Sequence, residues 1–444
     1  MNSPCSILNL LPHAGGGMGV VLRALLTAES KPGNSFMHSV AALEYLNDAT
    51  KNHLNSHGIP WSDCLAMGDS QERLSALIES ADIVLLHWWN HPLLMRLLFN
   101  GIPPSRLMIW SHVNGFYPPQ SFFPELFELP DLFVFATKAS LHAPVVKSLP
   151  DELKQRVRII RSCAGIPKGA ENLSVKAGPF QVGYVGTVEP AKMHPDFLEI
   201  CVAAGIPAPC IVAGGPAHEE LRIKAEKLKL AGNFNIVGPV DDTKPIFSRL
   251  HAFAYPLNPK HYGTGEQVLI EAMAFGAVPV VLANLPEMSI VRHDETGLVA
   301  KNAEEFPAAL RLLMENPLER ERLAAGGHSF VIEECGIEHS IKAFHVLFNE
   351  TLRLPKRPRI MHLPSVAGVE DGSPFHLFLV SYGNTPERSF FEKETLISGP
   401  DSLPQGFISK SRGTPFHYLR MLGHDPRLES ICNTYYGKTG LHHE

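Results

Sequence analysis

Gly263, Thr264, Gly265, Glu266, Gln267 and Glu271 fall within nine consecutive residues, a spacing suited to holding a phosphate and a ribose. Gly263 and Gly265 permit a tight bend and a close approach of backbone N–H groups to a ligand. From Gln267 onward the residues follow a helical pattern. The positive end of that helix falls at the same loop and makes an anion site. Gln267 and Glu271 are four apart and share one helix face near that end. A loop for phosphate, with a carboxylate one turn inward for a ribose, is what a nucleotide-sugar donor requires. The same residues also suit a buried βα unit with a capped helix and no ligand.

Such a loop needs a strand before it and a helix after it, and the surrounding chain supplies both repeatedly. In the first half, strands are expected at Ser6–Leu11, Ser39–Leu43, Asp82–His87, Leu107–Ser111, Leu132–Ala136 and Val157–Ile160. Helical patterns at Met18–Ala28, Gln71–Ser80, Pro92–Phe99 and Lys138–Lys147 separate several of them. A second alternating series has strands at Phe180–Val185, Pro209–Ala213, Phe234–Val237, Ala252–Tyr255 and Val278–Leu282. Its helices are expected at Asp196–Ala204, Glu219–Leu230, Thr243–Arg249, Gln267–Phe275, Ala303–Glu315 and Leu318–Ala325. Alternation of this kind means βαβ units and parallel sheets covered by helices on both faces. The lapse into Gly, Pro, Lys and Ser at Cys163–Gly178 reads as a linker. The expected domains are therefore 1–165, 179–350 and a C-terminal extension, 355–444, of unassigned role.

Composition narrows the class. Hydrophobic residues make up 45% and charged residues 19% of the 444 residues, as in a soluble globular chain. The formal net charge of −6, without a Lys/Arg block, argues against a nucleic-acid partner. Seven scattered cysteines, with no Cys-x-x-Cys, suggest reduced thiols in a cytoplasm and no zinc site. Neither a signal peptide nor an apolar run of spanning length is expected. Peripheral membrane contact stays open. No Gly-x-Ser-x-Gly or Walker loop is present, and no cluster with metal-ligand spacing stands out.

Glu271-Ala-Met-Ala-Phe-Gly276, running into a Val-rich strand, resembles the donor site of family-4 glycosyltransferases. That family has the GT-B fold: two Rossmann-like parallel-sheet domains facing across a cleft. Its signature pairs two glutamates separated by seven residues. Glu271 matches the second, which implies a hydrogen bond to the donor ribose. Gly263 stands at the first, and Glu266 lies nearby in another register. Gly183–Lys192 resembles the family's Gly-Arg-x-x-x-x-Lys segment. Lys192 matches the Lys, implying charge stabilisation of the leaving diphosphate. Thr187 stands where Arg is usual and offers no planar phosphate clamp. The other reading of Lys192 is a solvated loop lysine.

The resemblance, over roughly residues 5–350, implies further roles. Gly214 would line the donor cleft, or simply make a tight turn. Val237-Gly-Pro-Val240 would present backbone to the nucleotide base. Gly16 and Gly17, in Pro12–Gly19, would face the donor. A nicotinamide site is the runner-up there, but the third glycine of its fingerprint falls on Val20. His112 would lie close to the reacting sugar, or be structural. His87-Trp-Trp-Asn90 offers aromatic surface for a sugar ring, or core and cleft wall.

The reading is a retaining glycosyltransferase that moves a sugar from a nucleoside-diphosphate donor to a hydroxyl acceptor. The acceptor is a polysaccharide, a glycolipid or a small molecule, and no cofactor or metal is implied. His112 and Lys192 are the expected catalytic residues. The alternatives are an epimerase or phosphorylase on the same scaffold, and a non-catalytic nucleotide-sugar-binding subunit suggested by Gly263 and Thr187.

Overall fold

The computed structural model describes residues 4–31, 33–66, 70–161, 164–173, 176, 178–264, 267–392 and 412–439, with side chains as far as residue 434. Cys163, Gly265, Glu266 and Ser411, named in the sequence reading, lie outside the described residues. The chain divides into two compact units, one of Met1–Arg161 with Ser340–Glu444 and one of Ser162–His339.

In the first unit the strands are β1 (Cys5–Leu11), β2 (Phe36–Ala42), β3 (Trp61–Ser62), β4 (Ile83–Trp88), β5 (Ile102–Ser105), β6 (Leu107–Ser111), β7 (Leu132–Phe135) and β8 (Val157–Ile159). Seven of them form a sheet in the order β3-β2-β1-β4-β6-β7-β8, parallel throughout. Every residue of β4 is buried, as a central strand covered on both faces must be. Helix Gly16–Glu29 turns Val21, Leu22, Leu25 and Leu26 inward as one stripe. Helix Asp48–Ser56, absent from the expectations, is capped by Asn47, whose side chain accepts from Thr50 N. The helix expected at Lys138–Lys147 is instead a 3-10 turn, Lys138–His142, followed by a short helix, Pro144–Ser148. Pro144 lacks the N–H that a continuous helix would use.

The second unit repeats the design with β9 (Val182–Val185), β10 (Cys210–Ala213), β11 (Phe234–Gly238), β12 (Ala252–Tyr255), β13 (Val278–Leu282) and β14 (Leu298–Ala300). Their order is β11-β10-β9-β12-β13-β14, again parallel. In both sheets the order reverses beside the first strand, where open α/β sheets bind ligands at the carboxyl ends. The helix expected at Leu318–Ala325 extends over Pro317–Glu334. Gly326 and Gly327 weaken its sequence signal, yet a Cβ on Gly326 would come within 2.2 Å of Glu295 O. Packing, not flexibility, accounts for the pair.

The chain after residue 340 belongs to the first unit and is built into its core. β15 (Arg357–Arg359) pairs antiparallel with β5. Arg359 is buried, binds Asp131, and donates from Nη1 to Leu129 O at 2.9 Å and from Nη2 to Ser105 O at 2.8 Å. Helix Pro374–Ser381 buries all its residues after the first, with Ser373 capping His376 N. Helix Pro415–Leu422 is capped by Thr414 on His417 N. Tyr418 donates to Asn90 Oδ1 at 2.8 Å, and Asn90 Nδ2 donates to Ser381 Oγ at 3.0 Å. The segment read as a C-terminal extension of unassigned role thus shares hydrogen bonds with the loop after β4. The six described cysteines are free thiols. Among the described residues, no helix is long and apolar enough to cross a membrane.

Candidate functional site

Helix Gln267–Ala274 begins beyond β12, close to the reversal point of the second sheet. Glu271 accepts from Gln267 Nε2 at 3.3 Å and from Thr243 Oγ1 at 3.3 Å. Gln267 Oε1 in turn accepts from Ala164 N at 2.9 Å. The glutamine thus ties the stretch read as a linker to the helix that carries the carboxylate. Glu271 lines a cavity of about 560 Å³ with Lys168, Asp242, Thr243, Lys244 and Phe275. Burial raises the Glu271 pKa, and the hydrogen bonds from Gln267 and Thr243 oppose it. A half-satisfied carboxylate in such a cavity can accept the hydroxyls of a ribose. The ammonium groups of Lys168 and Lys244 share the cavity wall with the carboxylates of Glu171 and Asp242. A Cβ at Gly169, whose φ is +89°, would stand 2.6 Å from Lys244 Nζ, so glycine there makes room for the lysine.

The loop ahead of the helix is anchored from below. Gly263 N donates to His261 Nδ1 at 3.0 Å. A neutral His261 therefore carries its proton on Nε2, which donates to the buried Glu287 Oε2 at 3.2 Å. Glu287→Leu is expected to remove a charge-assisted bond of about 1.5–3 kcal/mol, lowering the melting temperature and weakening nucleotide binding together. Glu287→Gln, which can still accept through its amide oxygen, should recover most of both. A lowered melting temperature with unchanged binding would sink the loop-positioning role.

Lys192 lies in the turn after β9. Its carbonyl accepts from Asn258 N at 2.8 Å, Asn258 Nδ2 donates to Pro190 O at 2.9 Å, and Tyr262 OH donates to Glu189 Oε1 at 3.0 Å. The structure thus joins the Lys192 turn to the 256–263 loop, although 7% exposure makes Lys192 a buried lysine and not a solvated one. Thr187 O accepts from Tyr184 OH at 2.7 Å. Gly214 has a reason independent of any ligand: its Cβ would overlap Gly186 O, 1.7 Å away. Val240 is 38% exposed beyond the end of β11. Thr264 is half-buried beside the undescribed Gly265 and Glu266.

In the first unit His112 follows β6, and its N–H donates to Trp88 O at 2.8 Å. Its ring ends a buried chain. Asn9 Nδ2 donates to Ser39 O at 3.0 Å and faces His38 Nδ1 at 3.1 Å. Asn9 Oδ1 faces His87 Nε2 at 3.2 Å, and His87 Nδ1 faces His112 Nε2 at 2.9 Å. The amide oxygen can only accept, so His87 bears its proton on Nε2 and accepts on Nδ1 from His112 Nε2–H. His112 is left with its lone pair on Nδ1. Burial pushes its pKa down to about 3, so it is neutral near pH 7. Gly16, at φ +57°, and Gly17 open an uncapped helix N-terminus, and a Cβ on either would meet nothing within 4 Å. Sequence reasoning missed Lys168, Thr243 and Lys244, and also the trio His13, Glu44 and His91. Each group comes from segments far apart in the chain.

Among solved structures, HepE of Anabaena in complex with UDP and glucose is similar, with a TM-score of 0.62 at 15% identity, covering 78% of this chain and 100% of that one. A glycosyltransferase from Rickettsia africae ESF-5 aligns with a TM-score of 0.60 at 11% identity, covering 80% and 100%. Sucrose-phosphate synthase from Thermosynechococcus elongatus aligns at 0.58 and 17% identity, covering 79% and 99%. No curated protein matches the chain in sequence. The fold is GT-B, two Rossmann-like parallel-sheet domains. More particularly, residues 168–329 match the family model of glycosyl transferases group 1, and this span holds Lys192, Gln267 and Glu271.

Proposed function

We propose that the protein is a retaining glycosyltransferase that moves a sugar from a nucleoside-diphosphate donor to a hydroxyl acceptor, without cofactor or metal. The observation that carries this is Glu271, a carboxylate with raised pKa in a cavity also lined by Lys168, Lys244, Glu171 and Asp242, on a helix whose leading loop is tied to the Lys192 turn. The complexes of HepE with UDP-glucose, and with UDP and glucose, favour a nucleotide-sugar as donor. The family-4 resemblance supplies the stereochemistry. The acceptor oxygen bonds to the anomeric carbon as the bond to the diphosphate breaks. The electron pair leaves with the diphosphate, which takes the acceptor proton on the same face. Lys192 stabilises charge on the leaving group, and His112 Nδ1 accepts from a sugar hydroxyl. Free cysteines suit a cytoplasmic enzyme, with peripheral membrane contact left to the acceptor.

Lys192→Ala is expected to lower kcat by about 10²–10³, as loss of one preorganised charge contact does, with little change in acceptor KM. Product analysis by mass spectrometry, with proton NMR to read anomeric configuration and sugar identity, checks the reaction type. A glycoside with retained anomeric configuration supports the proposal. A changed donor sugar, a sugar phosphate, or binding without turnover would move it to an epimerase, a phosphorylase or a non-catalytic subunit.

A further inference from the structure

His13, Glu44 and His91 stand just beyond the carboxyl ends of β1, β2 and β4. These strands are neighbours in the first sheet, and the order reverses between β1 and β4. One nitrogen or oxygen from each side chain lies within 4.8 Å of the other two. Spacing alone would suit a cation, but the proton positions oppose it. His13 Nδ1 accepts from Gly15 N at 3.2 Å, and His91 Nδ1 accepts from Leu93 N at 3.2 Å. Each neutral ring therefore carries its proton on Nε2. A metal-ligating histidine has the opposite arrangement, with a lone pair toward the ion and its other N–H donated to a carbonyl or carboxylate. Burial is the main cause lowering both pKa values, which keeps the rings neutral.

His91 is fully buried, and its Nε2 makes no hydrogen bond, lying 3.4 Å from Glu44 Oε2. The unpartnered His91 N–H and the Glu44 carboxylate, with a nitrogen of His13 within 4.8 Å, complement a hydroxyl, which both accepts and donates. Aromatic rings surround the three groups. Tyr45, 46% exposed, stacks on His13 at 5.4 Å, and Trp89 meets His13 edge-on at 5.2 Å. Amphipathic rings beside convergent polar groups suit the face and hydroxyls of a sugar. The C-terminal segment closes the other side: His417 packs edge-on to His91 at 4.6 Å, and its Nδ1 accepts from Gly413 N at 3.0 Å.

We infer that His13, Glu44 and His91 form a clasp for one hydroxyl of a saccharide acceptor, flanked by Tyr45 and Trp89. The inference rests on the transferase reading and narrows its acceptor to a carbohydrate. The C-terminal segment, through His417, fixes the position of His91.

The test is saturation-transfer NMR on the full chain with methyl glycosides of glucose, galactose, mannose and N-acetylglucosamine. Binding of nucleoside diphosphates is measured in parallel by calorimetry. At least one glycoside should bind, at least tenfold more weakly to Glu44→Ala and to His91→Ala, with nucleotide affinity unchanged. Glu44 is less buried than His91, so its variant carries the test should His91→Ala fail to fold. Absence of glycoside binding while nucleotide binding is intact would overturn the clasp, as would affinity indifferent to Glu44→Ala. Stoichiometric Zn²⁺ uptake that requires His91, without glycoside binding, would replace it with a metal centre. Glycoside binding sensitive to Glu44→Ala, without any nucleotide binding, would sustain the clasp and overturn the transferase reading.

Discussion

Glu271→Ala is expected to weaken nucleotide-sugar binding by about 10- to 100-fold while leaving the melting temperature unchanged or slightly raised. The first effect follows from losing hydrogen bonds between ribose hydroxyls and a carboxylate, together about 1.5–3 kcal/mol. The second follows from the cost that Glu271 imposes on the empty protein. Burial is the largest cause raising its pKa, and the two hydrogen bonds it accepts, both 3.3 Å long, oppose that only in part. Residues kept for ligands are commonly suboptimal for stability. Glu271→Gln should fall between, since an amide oxygen accepts more weakly. Calorimetry and thermal melts on the same samples check the pair of effects. A variant that melts much earlier but binds normally would make Glu271 a structural residue.

Acidification below about pH 6.5 is expected to unfold the first unit before the second. His38 and His112 have pKa values pushed down to about 3, chiefly by burial, and those of His87, His91 and His417 are also lowered by burial. All five lie in the first unit. In the unfolded chain each takes its proton near pH 6.5, and in the folded unit only far below that. Between those values the unfolded state binds more protons. Stability is therefore complete above pH 6.5 and falls as pH drops toward 3. Each histidine contributes up to about 1.4 kcal/mol per pH unit in that window. The four tryptophans, Trp61, Trp88, Trp89 and Trp110, all belong to this unit, so their fluorescence reports on it alone. A tryptophan-detected urea midpoint that stays constant from pH 7 to about pH 4.5 would contradict the expectation, which rests on proton linkage.

Much of the architecture was legible because parallel strands buried on both faces leave unbroken apolar runs, as in Ile83-Val-Leu-Leu. The helix that carries Gln267 and Glu271 was legible for a different reason: a Gly-rich stretch and a helical pattern are contiguous in the sequence. Lys168, Thr243 and Lys244 reach the same cavity from a segment that looks like linker and from the start of the short helix after β11, Lys244–Phe247. Nothing in their local pattern marks them. Gly214 illustrates the converse, since close approach to Gly186 O explains a glycine that the family resemblance places beside a ligand. His13, Glu44 and His91 are neighbours only because the sheet places β2, β1 and β4 side by side. The apolar run Phe375–Val380 gave no helical period because that helix is buried on all sides.

Calorimetry of the full chain against a panel of nucleoside diphosphates and their sugars, in wild type and in Glu271→Ala, tests the central claim most directly. The account predicts that one nucleotide-sugar binds selectively and that the substitution weakens it at least tenfold. Failure of the folded protein to bind any member, or equal binding by both proteins, would contradict a donor site at Glu271.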